Sequence, residues 1–470
     1  MGPPGDRLVI PPTAQQATDE QPSVQIDERA EGRELFARLK ELAGTDTGQA
    51  ATMAIAVMGQ NLLGLVFTVV FARILGKDGY GSLAALVAAF LILSIPGTAL
   101  QVTVAREVSG ALATGEAARG AAIRGWMRSL LFAAAGVTVV SLLLRGPIGS
   151  IIGVDAHWAA GAVVPTATLW LVLCVQRGAL QGFQRYRLVG ASLVGEAATR
   201  LIFGLILVGL GLDIAGAYLG TTMSIAAMAA MLGYALHREL DTAPPGHTPP
   251  VGERLRDLAA RAWAPLVALA LIAVLQNIDV IVVKHRVSDD ASSAYAAAAV
   301  AAKVMVWIAV GLGMYLLPEA TRRTSVGRDA RPVLVKTLAV AAACAVPIIL
   351  IFVFGGHLLL DKAFGKDFAT ADKALPILGV AMTFLAATYL CVQYLLALHR
   401  SRFVLVLAAG AILDPLLLLA AGHKLTSIAL VLAGLQAVLA AVIGLIALRS
   451  RPSAATSPTS GAAAVRSGAL

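Results

Sequence analysis

Of the polar and charged side chains inside the long apolar segments of this sequence, ten are candidates for a functional site, and their chemistry requires an explanation. A charge at the centre of a membrane-spanning helix costs about 2.5 to 3.5 kcal/mol, and polar groups are not left unpaired in hydrocarbon. Such side chains are expected to face one another or a polar cavity that holds a ligand. They are Gln60, Asn61, Glu196, Arg200, Gln276, Asn277, Asp279, Lys303, Gln393 and Asp414.

Lys303 is the strongest of these candidates for contact with a ligand. No acidic residue lies one helical turn away in its own span, so its ammonium group is available to an anionic ligand or to Asp279 in the neighbouring span. An Asp279–Lys303 pair that only joins two helices is the alternative interpretation.

Two further acidic residues have structural explanations beside the functional one. Glu196 and Arg200 are four residues apart, so they share a helix face and can form an ion pair instead of lining a cavity. Asp414 precedes Pro415, and its carboxyl group can bond to backbone groups that a proline kink frees.

A second group of cations flanks the apolar segments and is predicted to guide an anionic ligand to and from the cavity. Contact with lipid phosphate and the control of membrane orientation are alternative explanations for these residues. Arg73, Lys284 and Arg286 are predicted at the outer end, and Arg128, Arg177, Arg185 and Arg187 at the cytoplasmic mouth.

The sequence holds no pattern typical of catalysis, of metal binding or of nucleic-acid binding. Cys174, Cys344 and Cys391 lie in apolar segments without CxxC spacing, and no cluster of Ser, His and Asp suggests an active site. The net charge of +9 comes from loop residues and not from a basic stripe interleaved with aromatic residues. Neither a metal site nor a cofactor is therefore predicted, and an enzyme is disfavoured.

The composition indicates the elements that must position these residues. Hydrophobic residues make up 58% of the chain, charged residues 14%, and the mean hydropathy is +0.79. Repeated apolar segments of about 20 residues are typical of transmembrane helices, because only a helix satisfies its own backbone there. The predicted class is an all-α polytopic membrane protein.

Twelve transmembrane helices are predicted, six in each half of the chain. Loops after even-numbered spans carry twice as many Lys and Arg residues as loops after odd-numbered spans, which places both termini in the cytoplasm. The predicted spans are 51–72, 82–104, 126–144, 158–176, 188–210, 213–236, 263–284, 294–317, 333–354, 375–398, 402–421 and 427–448.

The two halves are predicted to be copies of one unit. Gln60-Asn61 recurs as Gln276-Asn277, Tyr80 aligns with Tyr295, and the segment 185–187 aligns with 400–402, all at an offset of 215 or 216 residues. Copies of six helices each have the same orientation, so a pseudo-twofold axis along the membrane normal is expected, with a polar cavity between the two bundles.

The remaining segments are predicted to be cytoplasmic. Residues 1–49 are polar and are expected to be mostly disordered, with an amphipathic helix at 33–43. The bundles are assigned to 50–236 and 263–449, the segment 237–262 to a linker with a short surface helix, and 450–470 to a disordered tail.

Four segments together resemble a known family. ARILGKDGYGSLAALVAAF follows the first span, ALQGFQRYRLVG precedes the fifth, QNIDVIVV lies in the seventh, and LLLDKAFGKDFATADKALPIL precedes the tenth. In order and spacing they are similar to the Wzx-like polysaccharide-transporter branch of the multidrug/oligosaccharidyl-lipid/polysaccharide exporter superfamily. That resemblance implies a flippase in a bacterial plasma membrane, which carries oligosaccharides linked to polyprenyl pyrophosphate to the outer leaflet.

Several alternatives remain open at the level of sequence. Lipid II flippases of the superfamily have an arginine–aspartate pair in the first span, whereas the first span here has no charge before Arg73. A drug exporter, or a scaffold that transports nothing, would share the twelve-helix plan. Expected partners are the lipid-linked glycan, membrane lipids and glycan-synthesising enzymes. No GxxxxGK[ST] motif is present, so coupling to protons, to sodium or to the membrane potential is expected.

Overall fold

The computed structural model describes residues 46–114, 119–241, 251–325 and 328–450. The compact unit that contains the features below is Met53–Leu470. The predicted amphipathic helix at 33–43 and the tail after 450 lie outside the described residues, so both remain predictions. The assignment of two separate domains also remains a prediction.

The first half of the chain forms six α-helices and a short π-helical turn, Val208–Leu212, between the last two of them. The helices are α1 (Asp46–Thr114), α2 (Arg119–Leu143), α3 (Arg145–Ile152), α4 (His157–Gly182), α5 (Tyr186–Leu207) and α6 (Asp213–Asp241).

The second half forms seven α-helices and a 3₁₀-helix, Lys366–Ala371. The helices are α7 (Val251–Arg286), α8 (Asp289–Ala302), α9 (Val304–Ser325), α10 (Arg331–Ala363), α11 (Leu375–Ala397), α12 (Phe403–Ala420) and α13 (Leu425–Arg449). Because α7 begins at Val251, its first turns replace the separate surface helix that was predicted in the linker.

The number of membrane spans follows from the lengths of these helices. In the described ranges, nine helices are long and apolar enough to cross a membrane, and a bent pair in 130–152 makes a tenth candidate. Two of the nine are 55 and 53 residues long, more than twice the roughly 20 residues that a bilayer requires. They break at Gly76 (φ 62°) and Gly211 (φ 86°), so each provides two spans. The described residues thus hold twelve spans, and the predicted all-α fold class is confirmed.

The internal repeat is visible in the backbone of two loops. Gln184 (φ 59°) and His399 (φ 53°) are 215 residues apart and are both left-handed, although neither is glycine. Each ends a helix in the same way. Arg185 N–H donates to Leu180 O at 2.8 Å, and Arg400 N–H donates to Leu395 O at 3.0 Å. The offset read from the sequence is therefore reproduced in hydrogen-bonding geometry.

Small residues let the helices of the first half approach closely. A Cβ added to Gly220 on α6 would lie 2.5 Å from the backbone nitrogen of Gly204 on α5. Helices in membranes associate through such close backbone contacts, because burial of apolar surface gives no driving force between them in lipid. The same added Cβ would lie 3.2 Å from the backbone oxygen of Arg200, so the backbone of Arg200 is part of this close contact.

Candidate functional site

A cavity of about 320 Å³ lies between the two halves of the chain. Its walls come from α1 and α5 of the first half and from α7, α8 and α9 of the second. Six of the ten predicted polar residues line it: Gln60, Asn61, Arg200, Gln276, Asn277 and Lys303.

Repeat-related amides stand on both walls of this cavity. Gln60 and Asn61 come from α1, and Gln276 and Asn277 come from the equivalent turn of α7. Gly64 and Thr68 follow on α1 at intervals of one helical turn, which keeps a single face of that helix towards the cavity. The duplication of the sequence therefore gives the cavity its polar character.

Lys303 is the cation of the second-half wall. It lies between α8 and α9, is 8% exposed, and donates from Nζ to Asn277 Oδ1 at 2.9 Å. Asn277 in turn donates from Nδ2 to the carbonyl oxygen of Ala273 at 2.8 Å. The hydrogen bond of the lysine is therefore made to an amide on the cavity wall, whereas Asp279 interacts with the lysine electrostatically.

Arg200 is the cation of the first-half wall. Its guanidinium group lies over the ring of Phe67, 4.6 Å from the centroid, and an added Cβ at Gly64 would lie 3.4 Å from its Nη2. Its Nε is buried and has no hydrogen-bond partner among the described residues. The arginine is thus held by an aromatic face and keeps hydrogen-bonding capacity for another group.

Glu196 forms its hydrogen-bonded ion pair with Arg177 and not with Arg200, the partner that the alternative interpretation gave it. Arg177 on α4, which is 1% exposed, donates from Nη2 to Glu196 Oε2 at 3.0 Å and from Nε to Ser192 Oγ at 2.9 Å. Helix α4 continues to Gly182, so Arg177 is carried into the bundle and does not reach the mouth where it was predicted. Neither member of this buried pair lines the cavity.

Three other predicted cavity residues also lie away from its walls. Asp279 is fully buried, and its Oδ2 accepts from Tyr295 Oη–H at 3.0 Å. Asp414 on α12 is fully buried as well. Gln393 donates to the hydroxyl of Tyr389 on its own helix, at 2.6 Å.

The predicted mouth residues have separate positions. Arg73 donates to the carbonyl oxygens of Lys362 and Ala363 at the end of α10, and Lys284 pairs with Asp289. The backbone oxygen of Arg286 lies 2.6 Å from His423 Nδ1. Arg185 and Arg187 are exposed next to the start of α5. The side chain of Arg128 lies outside the described part of the chain.

A set of contacts, here called the seam, joins the two halves at the end that is predicted to face outward. Lys77 Nζ lies 2.7 Å from Asp290 Oδ2, and Gly81 N–H donates to Ser293 Oγ at 2.7 Å. The buried ring of Tyr80 meets the edge of Phe368, with 5.8 Å between centroids. Arg73 completes the seam, which joins the two halves next to Tyr80 in the cavity wall.

Aromatic residues on the cavity wall were not predicted as site residues. Trp307 lies four residues after Lys303, and Phe67 lies seven residues after Gln60, so both share a helix face with a predicted residue. Helical spacing from each polar residue would have identified both.

Twelve spans, a repeated half and a polar cavity between the halves define a polytopic membrane transporter. The family model described as polysaccharide biosynthesis protein matches residues 49–322. The chain belongs to this family, and with it to the exporter superfamily that the four segments resembled. No curated protein matches the chain.

Solved structures of the superfamily share the fold. An inward-facing multidrug resistance MATE family transporter matches with a TM-score of 0.70 and 12% identity, covering 83% of this chain and 94% of its own. Lipid II flippase MurJ, in an inward closed conformation, gives 0.67 and 12%, with coverages of 85% and 88%. An outward-facing MATE transporter gives 0.55 and 14%, covering 87% and 97%. These solved structures are of transporters and a flippase, and the likeness shows that the chain has their fold.

Proposed function

We propose that the protein is a flippase that moves an oligosaccharide linked to a polyprenyl phosphate or pyrophosphate from the inner to the outer leaflet. Arg200 and Lys303, facing a shared polar cavity from opposite halves of the chain, are the observation that supports this most directly. The described lining contains these two cations and no carboxylate. Such a cavity favours an anionic headgroup, and its amides suit the hydroxyl groups of a glycan.

Charge also separates this proposal from the drug-exporter alternative. A cavity that binds cationic drugs needs negative charge, whereas the acids near this one are turned away from it: Glu196 is bonded to Arg177, and Asp279 to Tyr295. The lipid II flippase alternative shares the anionic headgroup, so transport of the two lipids has to be compared directly.

Alternating access is the proposed mechanism, and the described conformation is its loading state. The seam joins the two halves at the predicted outer end, and the TM-score is higher against the inward-facing than against the outward-facing MATE structure. The headgroup then enters from the cytoplasm and leaves after the seam opens. A potential that is negative in the cytoplasm favours outward movement of each negative charge by about 2.3 kcal/mol per 100 mV.

The proposed setting follows from this substrate. A bacterial plasma membrane supplies polyprenyl carriers, and the distribution of Lys and Arg supports a cytoplasmic location for both termini. Enzymes that build the glycan on one side and polymerise it on the other are the proposed partners of the flippase.

Reconstituted liposomes test the proposal. A prenyl-pyrophosphate-linked oligosaccharide with a fluorescent label would be added to both leaflets, and its movement measured with a membrane-impermeant quencher. We expect the Arg200→Ala/Lys303→Ala double variant to flip at the protein-free rate. Lys336→Ala, which removes an exposed cation of α10, should leave the rate unchanged. Normal flipping by the double variant, or movement of cationic dyes but not of the labelled lipid, would contradict the proposal.

A further inference from the structure

Two buried carboxyl groups lie behind the cavity wall, on the side of α7 that faces its own bundle. Asp279 is two residues beyond Asn277, and Asp414 belongs to α12, which packs against α7. Both side chains are 0% exposed, and neither contributes to the cavity lining. The proposed transport step uses neither of them.

Most of the oxygen atoms in this pair lack hydrogen bonds. Among the described residues, Asp279 Oδ1 and both carboxyl oxygens of Asp414 have no hydrogen-bond partner. Gln436 Oε1, also 0% exposed, has none, and its Nε2 donates to Leu275 O, one helical turn before Asp279, at 3.3 Å. A buried carboxylate without hydrogen bonds is strongly disfavoured. The two carboxyl groups are therefore expected to bind a proton or another cation.

Few ionisable groups face the pair. Asp279 interacts electrostatically with Lys303 and Asp414, and Tyr295 lies close to both acids. Gln436 on α13 and Asn277 on α7 are neutral. With a neutral tyrosine, the two carboxylates and one ammonium group carry a net charge of minus one, so a single proton makes the cluster neutral.

A ligand in the cavity changes this charge balance, because Lys303 belongs both to the cavity wall and to the cluster with Asp279 and Asp414. Its ammonium group stands in the cavity wall and is also the cation that interacts with Asp279. A phosphate oxygen that binds the ammonium group offsets its charge, and the carboxylates behind the wall then lose their counter-ion. A second proton restores neutrality.

We infer that binding of an anionic headgroup at Lys303 is linked to uptake of one proton by Asp279 and Asp414. The inference rests on the proposed function, because it takes the ligand of the cavity to be anionic. Coupling between two sites is reciprocal, so protonation of the pair also strengthens binding of the headgroup. Asn277, bonded to Lys303 and adjacent in sequence to the acidic turn, positions the lysine between the two sites.

Isothermal titration of the protein in lipid nanodiscs with farnesyl pyrophosphate tests the linkage. Repeating the titration in two buffers of different ionisation enthalpy gives the number of protons taken up. The wild-type protein should take up about one proton per ligand at neutral pH, as the charge balance requires. Asp155→Asn, which changes an exposed loop carboxylate of the first half, should give the same number.

Two variants distinguish linkage from a structural role. Lys303→Gln and Asp279→Asn should both abolish proton uptake, but with opposite effects on affinity. The lysine variant loses a charged contact and should bind about tenfold more weakly or worse. The aspartate variant removes the competitor for the lysine and should bind as tightly as the wild type or more tightly.

The outcomes separate the two proposals. Binding without proton uptake, or uptake that persists in Asp279→Asn, would overturn the linkage and leave the flippase intact. Binding that requires sodium and takes up no proton would also overturn it. Failure of farnesyl pyrophosphate to bind the wild-type protein would overturn the proposed function itself.

Discussion

The two halves of the molecule bury their acidic residues in different ways. In the first half, Glu196 accepts from Arg177, whose Nε also donates to Ser192 Oγ. In the second half, Asp279 accepts from Tyr295 but its Oδ1 has no partner, and neither carboxyl oxygen of Asp414 has one among the described residues. A satisfied ion pair holds one arrangement of helices, whereas unsatisfied carboxyl groups respond to charge nearby. The comparison indicates that the first half acts as the rigid wall and the second as the responsive one.

The cations on the two cavity walls differ in the same sense. Arg200 rests on the ring of Phe67, and the acid one turn before it is already bonded to Arg177. Lys303 donates a hydrogen bond to Asn277 on the cavity wall and interacts electrostatically with Asp279 behind that wall. A ligand of the proposed site would therefore meet one cation held on an aromatic ring and one whose charge is shared with a second site.

The largest effect is expected when the buried ion pair of the first half is broken. Arg177→Met leaves Glu196 buried and unpaired, which should lower the free energy of unfolding by about 3 to 5 kcal/mol. Asp414→Asn, in the other half, removes an unsatisfied charge and should leave stability unchanged or raised. Denaturant unfolding in detergent followed by circular dichroism measures both.

A second substitution provides the control for this contrast. Arg177→Met/Glu196→Leu removes both members of the ion pair and should recover most of the stability lost by Arg177→Met alone. Equal destabilisation by Arg177→Met and Asp414→Asn would show that the two halves do not differ as described.

Sequence reasoning found the cavity but not the partners inside each bundle. A polar residue in an apolar span is visible in any single sequence, so Gln60, Lys303 and their neighbours could be identified from the sequence alone. The repeat supplied the two halves that face one another. The partner of Glu196 could not be found in this way, because the nearest candidate along the chain, Arg200, competes with Arg177 on another helix. Only packing of α4 against α5 decides between them.

The direction of the Asp279 side chain, away from the cavity, could not be predicted from the sequence either. Asp279 lies two residues beyond Asn277, which places the two side chains about 200° apart around a helix. Periodicity therefore predicts that only one of them faces the cavity, but the direction of the cavity is set by how α7 packs. The break between α8 and α9 at Lys303 likewise has no signal such as glycine or proline beside it.

An intermediate effect, on ligand affinity, is expected when Arg200 is replaced by lysine. Arg200→Lys keeps the charge but loses the planar stacking on Phe67 and the unpartnered Nε, so affinity for farnesyl pyrophosphate should fall by about tenfold. Proton uptake per bound ligand should not change, since the acidic pair lies in the other half. Titration calorimetry gives both quantities, and a loss of proton uptake in this variant would contradict the division between the walls.

The smallest effect is expected at the seam. Lys77 and Asp290 are 44% and 51% exposed, and exposed ion pairs contribute little because water and salt screen them. Lys77→Ala should therefore barely change how often the outer end opens, since the buried ring of Tyr80 and the bond from Gly81 to Ser293 remain. A membrane-impermeant maleimide added from outside would report opening through a Gln60→Cys substitution in the cavity. If Lys77→Ala raised the labelling rate as much as Tyr80→Ala, the seam would depend on its surface charges and not on its buried contacts.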